Sequence, residues 1–292
     1  MTSTRQGHPL DGALRSRLHL PETSLFRLGL VRAALHTTDA VSQLFLGQTF
    51  FSLRAAEALL DEIGDKTGLA LVEDLLSRRG GTKIIPHGLG YVPAQGAVII
   101  ASTHPTGLFE FLAHITALQR QRSDIKVVAN LEAQDFLGKD NIVPVRISKK
   151  NQALSARSTH EAMQNHLKSG GALLIFGSGR VPYRTQDKLV EPAWRNGTSK
   201  ISKRCDAPIV PAALDAKNSQ YYYTLRKFSR YFSMRNDNIG AQIGSLRYAA
   251  ELLEKLGGTY DVHYAPPKAP GTDSATLKST AEGLVPGLYL SE

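Results

Sequence analysis

The sequence predicts an α/β fold: a mostly parallel β-sheet with helices on both faces and a helical N-terminal part. Two observations lead to this prediction. Apolar residues recur at helical spacing between residues 24 and 80, and from "KIIPHGL" onwards short β-branched runs alternate with helical segments. Strands that alternate with helices are typical of parallel sheets covered on both faces.

Residues 1–80 form the predicted helical N-terminal region. The segments with helical spacing are "LFRLGLVRAALHTTDAVSQLFL", "RAAEALLDEI" and "LALVEDLLSRR". The most apolar early stretch, "VSQLFLGQTFFSL", is shorter than the roughly 20 residues that a membrane-spanning helix needs. The opening residues are polar and lack the pattern of a secretory signal. We therefore expect a cytoplasmic protein whose membrane contact, if any, is peripheral.

Residues 81–265 form the predicted α/β domain. From "KIIPHGL" onwards, its expected strands are "AVIIAS", "IKVVAN", "IVPVRI", "ALLIFG" and "APIVPAAL", and "ALSARSTHEAMQNHLK" is an expected helix. Residues 266–292 begin with a stretch rich in Pro, Gly, Ser and Thr. This composition predicts a loosely attached C-terminal tail.

Composition restricts the classes of partner and site. The chain of 292 residues has 35 Lys and Arg against 26 Asp and Glu, a formal net charge of +9. That excess favours an acidic partner: a nucleic acid, an anionic membrane face, or a phosphorylated or carrier-bound substrate. The single cysteine, Cys205, excludes an internal disulfide and a cysteine-rich metal site. A reducing compartment and no bound metal are therefore expected.

Two conspicuous loops follow predicted strands, "STHPTG" after "AVIIA" and "GSGRVPYR" after "ALLIF". Ligands of open α/β sheets bind at the carboxyl ends of the strands, so both loops are expected to share one cleft. In the first, Pro105 favours the first turn of a helix, which would place His104 at its N-terminus and Glu110 about a turn and a half later.

His104 and Glu110 are the candidate catalytic pair. A carboxylate on one ring nitrogen fixes the tautomer of the imidazole and leaves the other nitrogen as a base. Spacing alone leaves a second interpretation open, in which His104 caps the helix near a surface glutamate. The sequence does not decide between a catalytic pair and a structural cap.

The loop from Gly177 to Arg180 is the candidate anion-binding segment, because free backbone amides after a buried strand can bind an anionic group. Pro182 stands where a dinucleotide-binding fingerprint needs its third glycine. Ser178 lacks the flanking glycines of a serine-hydrolase elbow. An ordinary strand-to-loop turn is the alternative.

Other motifs indicate a functional site less strongly. His160 and His166 are six residues apart, which is not the spacing of the zinc-protease motif, and we expect a solvated helix face there. The runs "WRNGTSKISKR" and "YYYTLRKFSRYFSMR" interleave aromatic and basic residues. Such runs can contact nucleic acid, lie on a membrane surface, or form ordinary amphipathic helices.

The order of these segments resembles the glycerolipid acyltransferase superfamily, which includes the 1-acylglycerol-3-phosphate acyltransferases. It is most similar to the hemolysin-like or ornithine-lipid acyltransferase branch. There an apolar strand ends in Asn-His-Pro-x-Gly-Gly-x-Asp, where this chain has "THPTGLFE" from Thr103 to Glu110. A second block, Phe-Pro-x-Gly-Glu-Val-Ser, corresponds to "FGSGRVP" here, and "PAWRNG" and "APIVPAALDAKNS" resemble later segments. The resemblance covers about residues 80 to 250.

The resemblance implies acyl transfer from acyl-coenzyme A or an acylated acyl carrier protein to a hydroxyl or amine of a lipid or small acidic acceptor, with no other cofactor. It assigns His104 as the general base and Glu110 as its partner. Substrate binding would fall to Gly177, Ser178, Gly179 and Arg180, with Arg146 after "IVPV" as a further candidate. The expected partners are a carrier protein or coenzyme A and an anionic membrane surface. No nucleic acid is expected, and the protein would lie peripherally at the inner face of the cell membrane.

Three departures from the family pattern bear on function. Thr103 replaces asparagine, Glu110 replaces aspartate, and Arg180 replaces the glutamate of the second block. A glutamate still orients a histidine, since its carboxylate lies one methylene further out. The altered loop suggests a different acceptor, or a lipid-binding protein that has lost catalysis on the same scaffold. Charge and the tyrosine-rich run alone support the third hypothesis, a nucleic-acid binder.

Overall fold

The computed structural model describes residue 8 and residues 10–145, 152–232 and 237–290. Their helices in chain order are α1 (Asp11–Leu18), α2 (Leu25–Leu46), α3 (Leu53–Ile63), α4 (Gly68–Ser77), α5 (Phe109–Leu118), α6 (Gln134–Leu137), α7 (Gln152–Lys168), α8 (Gly197–Cys205), α9 (Gln220–Phe232), α10 (Asp237–Gly244), α11 (Tyr248–Lys255) and α12 (Ser274–Gly283). Their strands are β1 (Lys83–His87), β2 (Val98–Ser102), β3 (Ile125–Asn130), β4 (Ile142–Val145), β5 (Ala172–Phe176), β6 (Tyr183–Thr185), β7 (Lys188–Val190), β8 (Ile209–Leu214) and β9 (Thr259–Tyr264).

The chain divides into two compact units. Residues 10–66 and 218–256 belong to a helical unit that contains α1–α3 and α9–α11. Residues 67–217 and 257–290 belong to an α/β unit that contains the strands and the remaining helices. The three-part functional division from the sequence, with boundaries after residues 80 and 265, stays a prediction.

A seven-stranded sheet in the order β1-β9-β8-β2-β5-β3-β4 forms the centre of the α/β unit. Its strands pair in parallel except at the junction of β8 and β9, where the pairing is antiparallel. The predicted, mostly parallel α/β fold is confirmed. The sequence prediction included five of these strands and placed the change to β-branched runs at β1. It missed β9, whose polar residues Asp261 and His263 weaken the apolar signal.

Helices cover both faces of the sheet, and the side chains of β2 alternate between these two faces. Ile99 and Ala101 belong to an apolar cluster that includes residues of α7, α8 and α12. Ser102, on the opposite face, hydrogen-bonds to His114 of α5. The parallel strands are buried on both faces, which explains their continuous apolar runs.

The C-terminal segment packs more closely than its composition predicts. α12 begins after Asp273, whose carboxylate accepts hydrogen bonds from the backbone amides of Ala275 and Thr276. Leu277 and Ala281 of this helix are fully buried in the apolar cluster beneath β2. The loose attachment predicted for residues 266–292 is therefore wrong for α12, because its apolar side chains enter the core.

In the helical unit, a single carboxylate joins α2 to α3. Asp39 accepts hydrogen bonds from the backbone amides of Phe51, Ser52 and Leu53. These amides lie at the N-terminus of α3, where backbone donors lack partners within the helix. Asp39 is nearly buried, so one side chain both caps α3 and fixes its junction with α2.

Candidate active site

The two predicted loops begin side by side at the carboxyl edge of the sheet. Ser102 at the end of β2 pairs in register with Phe176 at the end of β5. The ring of His104 stacks on that of Phe176, with their centroids 4.7 Å apart. The structure thus brings His104 and the loop that starts at Gly177 into one site.

His104 and Glu110 are in direct contact. The Nδ1 atom of His104 contacts Oε1 of Glu110, whose side chain is completely buried, and the two form an ion pair when the ring is protonated. The His104 side chain keeps 17% of its surface exposed. Because Nδ1 faces the carboxylate, the hydrogen on the neutral ring is expected there, and Nε2 remains as the basic nitrogen. This is the arrangement that a general base requires.

The turn between the two residues differs from the sequence prediction. α5 begins at Phe109 rather than at Pro105, because residues 105–108 form a bend and Gly107 has a φ of +85°. Such a φ does not occur within a right-handed helix. The Glu110 carboxylate accepts hydrogen bonds from the amides of Thr106, at 3.1 Å, and Gly107, at 2.9 Å. Glu110 therefore holds the bend as well as the imidazole.

The surroundings of His104 favour its protonated form. Burial is the largest influence and lowers the pKa of His104, but the charge and hydrogen bond of Glu110 and the charge of Glu191 outweigh it. The net result is a pKa above the ordinary histidine value. Two carboxyl groups thus stabilise the imidazolium that would form when His104 takes up a proton.

Glu191 is a site residue that sequence reasoning missed. It follows β7 directly and is 2% exposed. Its Oε1 accepts a hydrogen bond from Nε1 of Trp194 at 3.3 Å. Burial raises the pKa of Glu191 to about 7, against the opposing influence of Ser178, His104 and Trp194. The available signal was an isolated glutamate in the apolar stretch "LVEPAW", which by itself does not indicate proximity to His104.

His114 was missed as well. It lies on α5 one turn after Glu110, and its ring accepts or donates hydrogen bonds at 2.7 Å to Oγ of Ser102 and at 3.2 Å to the hydroxyl of Tyr264. Burial lowers the pKa of His114 to about 4, although the charge of Glu110 acts in the opposite direction. His114 is therefore neutral at physiological pH and serves to fix the end of β2.

The hydrogen bonds within the loop after β5 contradict part of the anion-binding prediction. The amide of Gly177 donates to the carbonyl of Ser102, and that of Gly179 donates to the carbonyl of Phe176, both at 3.0 Å. Oγ of Ser178 donates to the carbonyl of Arg180 at 2.8 Å and accepts from its amide at 3.2 Å. These groups close a turn, so the predicted amide cradle is wrong for Gly177 and Gly179, whose donors are already used.

Positive side chains at this loop retain the capacity to bind an anion. Arg180 is exposed, and so is Arg195, whose guanidinium lies beside Gly179. A guanidinium can bind a phosphate or carboxylate through two parallel hydrogen bonds. The sequence analysis selected Arg180 but missed Arg195. Arg146, the other predicted anion-binding residue, lies outside the described residues.

Of the two histidines on α7, His166 has structural contacts. Nε2 of His166 lies 2.9 Å from the carbonyl of Asp124 and 3.0 Å from that of Ala172. Within the described ranges, no group of three or more His, Cys, Asp or Glu side chains is placed to hold a metal ion.

Comparisons with known proteins find a likeness among solved structures but not among family models or curated sequences. No protein-family model matches the chain. No curated protein matches its sequence. Among solved structures, it is similar to the 1-acyl-sn-glycerophosphate (LPA) acyltransferase PlsC from Thermotoga maritima, at 15% sequence identity and a TM-score of 0.46. The alignment covers 82% of this chain and 84% of that one. We therefore infer function from the geometry of the site itself.

Proposed function

We propose that this protein is an acyltransferase that moves a fatty acyl group from an acyl thioester to a hydroxyl or amine of a lipid or small acidic acceptor. The observation that carries the proposal is the contact between His104 and Glu110 at the carboxyl edge of the sheet. A buried carboxylate on Nδ1 leaves Nε2 as a base in a partly exposed position. The ordered resemblance of the surrounding segments to glycerolipid acyltransferases supports this choice among reactions that need such a base.

In the proposed reaction, Nε2 of His104 takes the proton of the acceptor hydroxyl or amine. The acceptor atom then attacks the thioester carbonyl, and an oxyanion forms. Collapse of this intermediate breaks the carbon–sulfur bond, and the departing thiolate recovers the proton from the imidazolium. Glu110 and Glu191 stabilise the imidazolium between these steps. No acyl-enzyme intermediate is needed.

The acceptor is proposed to carry an anionic group that Arg180 and Arg195 bind. Both guanidinium groups are exposed at the loop that follows Phe176, and Phe176 stacks on His104. A charge-assisted bond to the acceptor would hold its nucleophile near the base. Arg146 remains a proposed additional contact.

We also propose a cytoplasmic protein that binds peripherally to the anionic inner face of the cell membrane. α2 supports this, since seven of its large apolar side chains are exposed: Leu25, Phe26, Leu30, Val41, Leu44, Phe45 and Leu46. Arg27 is the sole exposed charged residue within α2, all of which is described. Among the described helices, none has the length and hydropathy to cross a bilayer. An exposed apolar helix face is suited to lie in the membrane interface.

Acyl transfer can be tested with labelled palmitoyl-coenzyme A and labelled palmitoyl-acyl carrier protein, each incubated with the protein and a total lipid extract. We expect thioester release coupled to a labelled product. The variant His104→Ala should lower the rate by about 10²–10⁴-fold, the usual effect of losing a general base. Its thermal unfolding should resemble that of the wild type, because the His104 side chain lies at a loop and is partly exposed.

Two results would contradict the proposal. Activity of His104→Ala within about threefold of the wild type would exclude His104 as the base. Lipid binding by the wild-type protein without release of thiol from either donor would instead indicate the non-catalytic lipid-binding alternative.

A further inference from the structure

Thr106 lies in the bend between His104 and Glu110 and binds the carboxylate of Glu110. Its hydroxyl donates a hydrogen bond to Oε2 of Glu110, and its backbone amide donates to the same oxygen at 3.1 Å. The hydroxyl also accepts a hydrogen bond from the amide of Glu110 at 3.0 Å. Thr106 and Glu110 thus bind each other reciprocally, each side chain contacting the backbone amide of the other residue.

The two oxygens of the Glu110 carboxylate have separate partners. Oε1 contacts Nδ1 of His104 and accepts a hydrogen bond from the amide of Gly107, whereas Oε2 accepts from Thr106. The last torsion of a glutamate side chain has no narrow preferred angle, so the partners of Oε2 help to decide where Oε1 points. The hydroxyl of Thr106 therefore opposes the rotation that would turn Oε1 away from the imidazole.

Burial makes the Thr106 hydroxyl an effective restraint but keeps it away from a substrate. The residue is 1% exposed, and its β-branched side chain has few rotamers. A hydrogen bond to a carboxylate is stronger than one between neutral groups, and more so away from water. Any effect of Thr106 on a reaction is therefore indirect and acts through Glu110.

We propose that Thr106 is a positioning residue: its hydroxyl fixes the Glu110 carboxylate in the orientation in which Oε1 meets Nδ1 of His104. This inference rests on the proposed acyl transfer, in which His104 is the base. The alternative is a structural role, since a hydroxyl that accepts from an amide in the first turn of α5 also stabilises that helix. The two roles differ in what the loss of the hydroxyl does to the imidazole.

Three variants separate the two roles. Thr106→Val removes the hydroxyl and keeps the shape of the side chain, and Thr106→Ser keeps the hydroxyl. Thr159→Val is the matched control, because the hydroxyl of Thr159 on α7 donates to the carbonyl of Pro144 at 2.9 Å and that residue is also buried. Thr106→Ala removes the same hydroxyl and replaces the valine variant if that protein does not fold.

The pKa of His104 is measured first, by NMR titration of its ring in the absence of substrate. Its signal is the one that is lost in His104→Ala. We expect Thr106→Val to lower this pKa by at least about 0.5 pH unit, because a misplaced carboxylate stabilises the imidazolium less. Thr106→Ser and Thr159→Val should leave it within about 0.2 pH unit of the wild type. The other titratable and charged groups of the site are the same in all these variants: Glu191, His114, Arg180 and Arg195.

Two other results of the titration would overturn the inference. If Thr106→Val lowers stability in urea and leaves the pKa of His104 unchanged, the hydroxyl serves only the start of α5. If the pKa of His104 rises, the hydroxyl weakens the carboxylate as an acceptor and does not orient it.

Turnover of palmitoyl-coenzyme A separates this inference from the proposed function. In Thr106→Val, kcat should fall at least about tenfold and KM for the thioester should stay within about twofold, since the base is misplaced while the binding contacts remain. Thr106→Ser should recover most of the rate. Full activity of Thr106→Val would overturn the positioning role and leave acyl transfer standing. A lowered pKa of His104 in a protein that releases thiol from neither donor would support the positioning of Glu110 and refute acyl transfer.

Discussion

At the residue scale, the contact between His104 and Glu110 links proton transfer to pH. The base acts in its neutral form, and the pKa of His104 is raised, so activity should increase with pH through that raised value. Glu110→Gln removes the charge that favours the imidazolium. The acidic limb of kcat/KM against pH should therefore move to lower pH, while the maximal rate falls. An unchanged limb would show that Glu110 does not act through His104.

Glu191 should influence stability as well as chemistry. Its pKa is about 7 in the folded protein, against 4.5 as its reference value. Between these values the folded state binds more protons than the unfolded state, so the group's contribution to stability declines as pH rises from about 4.5 to 7.

Glu191→Gln removes this ionisation and keeps a carbonyl oxygen for Trp194. Relative to the wild type, the variant should gain stability between pH 5 and 7.5, by on the order of 1–3 kcal/mol. Urea unfolding at several pH values measures the difference. A difference between the two proteins that does not vary with pH would mean that Glu191 is ionised throughout this range.

The sequence reveals site residues when they follow a strand that is itself recognisable. His104 and Arg180 satisfy this condition, since each comes shortly after an apolar run. Glu191 and Arg195 do not, because they come after the short hairpin of β6 and β7 and reach the site only through tertiary packing. The occupied amides of the loop could not be predicted either, since their acceptors depend on the pairing of β2 with β5.

At the element scale, Gly177 allows the loop after β5 to pass close to the ring of Trp194. A Cβ atom at this position would lie 2.0 Å from the indole, which must then move. Gly177→Ala should lower the free energy of unfolding by about 1–3 kcal/mol, as is usual for overpacking. Gly197→Ala is the control, since nothing lies within 4 Å of its added Cβ. Urea unfolding of both variants measures the difference, and equal stabilities would argue against close packing at Gly177.

The exposed face of α2 gives a second prediction at this scale. Leu44 and Phe45 are 79% and 76% exposed, so charged replacements should not disturb folding. Leu44→Asp/Phe45→Asp should weaken binding to phosphatidylglycerol vesicles at least about tenfold, because apolar surface that enters the interface is lost. Thr37→Asp/Gln43→Asp adds the same charge at two exposed polar residues of α2 and is the matched control. Vesicle sedimentation measures binding, and an equal loss in the control would indicate charge repulsion alone.

Helices and strands were predictable from the sequence where their pattern of apolar residues is long or unbroken. α2 spans the stretch marked by its helical spacing, and the buried strands appear as β-branched runs. The sequence pattern did not predict the hairpin of β6 and β7, because each strand has only three residues. Its two-residue turn, Gln186 and Asp187, has positive φ at both positions without a glycine to indicate it.

At the scale of the whole molecule, composition predicts the kind of partner but not the surface that binds it. The net charge of +9 is compatible with nucleic acid, membrane and carrier protein alike. The structure contains two surfaces of different chemistry, which the composition of the whole chain does not distinguish. Cations concentrate in a groove between α7 and α8 that is lined by Arg157, Lys200, Lys203 and Arg204, whereas large exposed apolar side chains concentrate on α2. Each surface can therefore be altered without changing the other.

The double role of the Glu110 carboxylate has a consequence for how this site can evolve. The same side chain holds the imidazole of His104 and closes the bend through the amides of Thr106 and Gly107. The shorter side chain of aspartate would lose either the contact with His104 or the hydrogen bonds to the bend. The effects of substitutions at the two ends of the bend should therefore not be additive. Glu110→Asp is expected to be tolerated only after compensating changes in the bend. The effect of a change at Glu110 should therefore depend on the residues of the bend, and the effect of a change in the bend on Glu110.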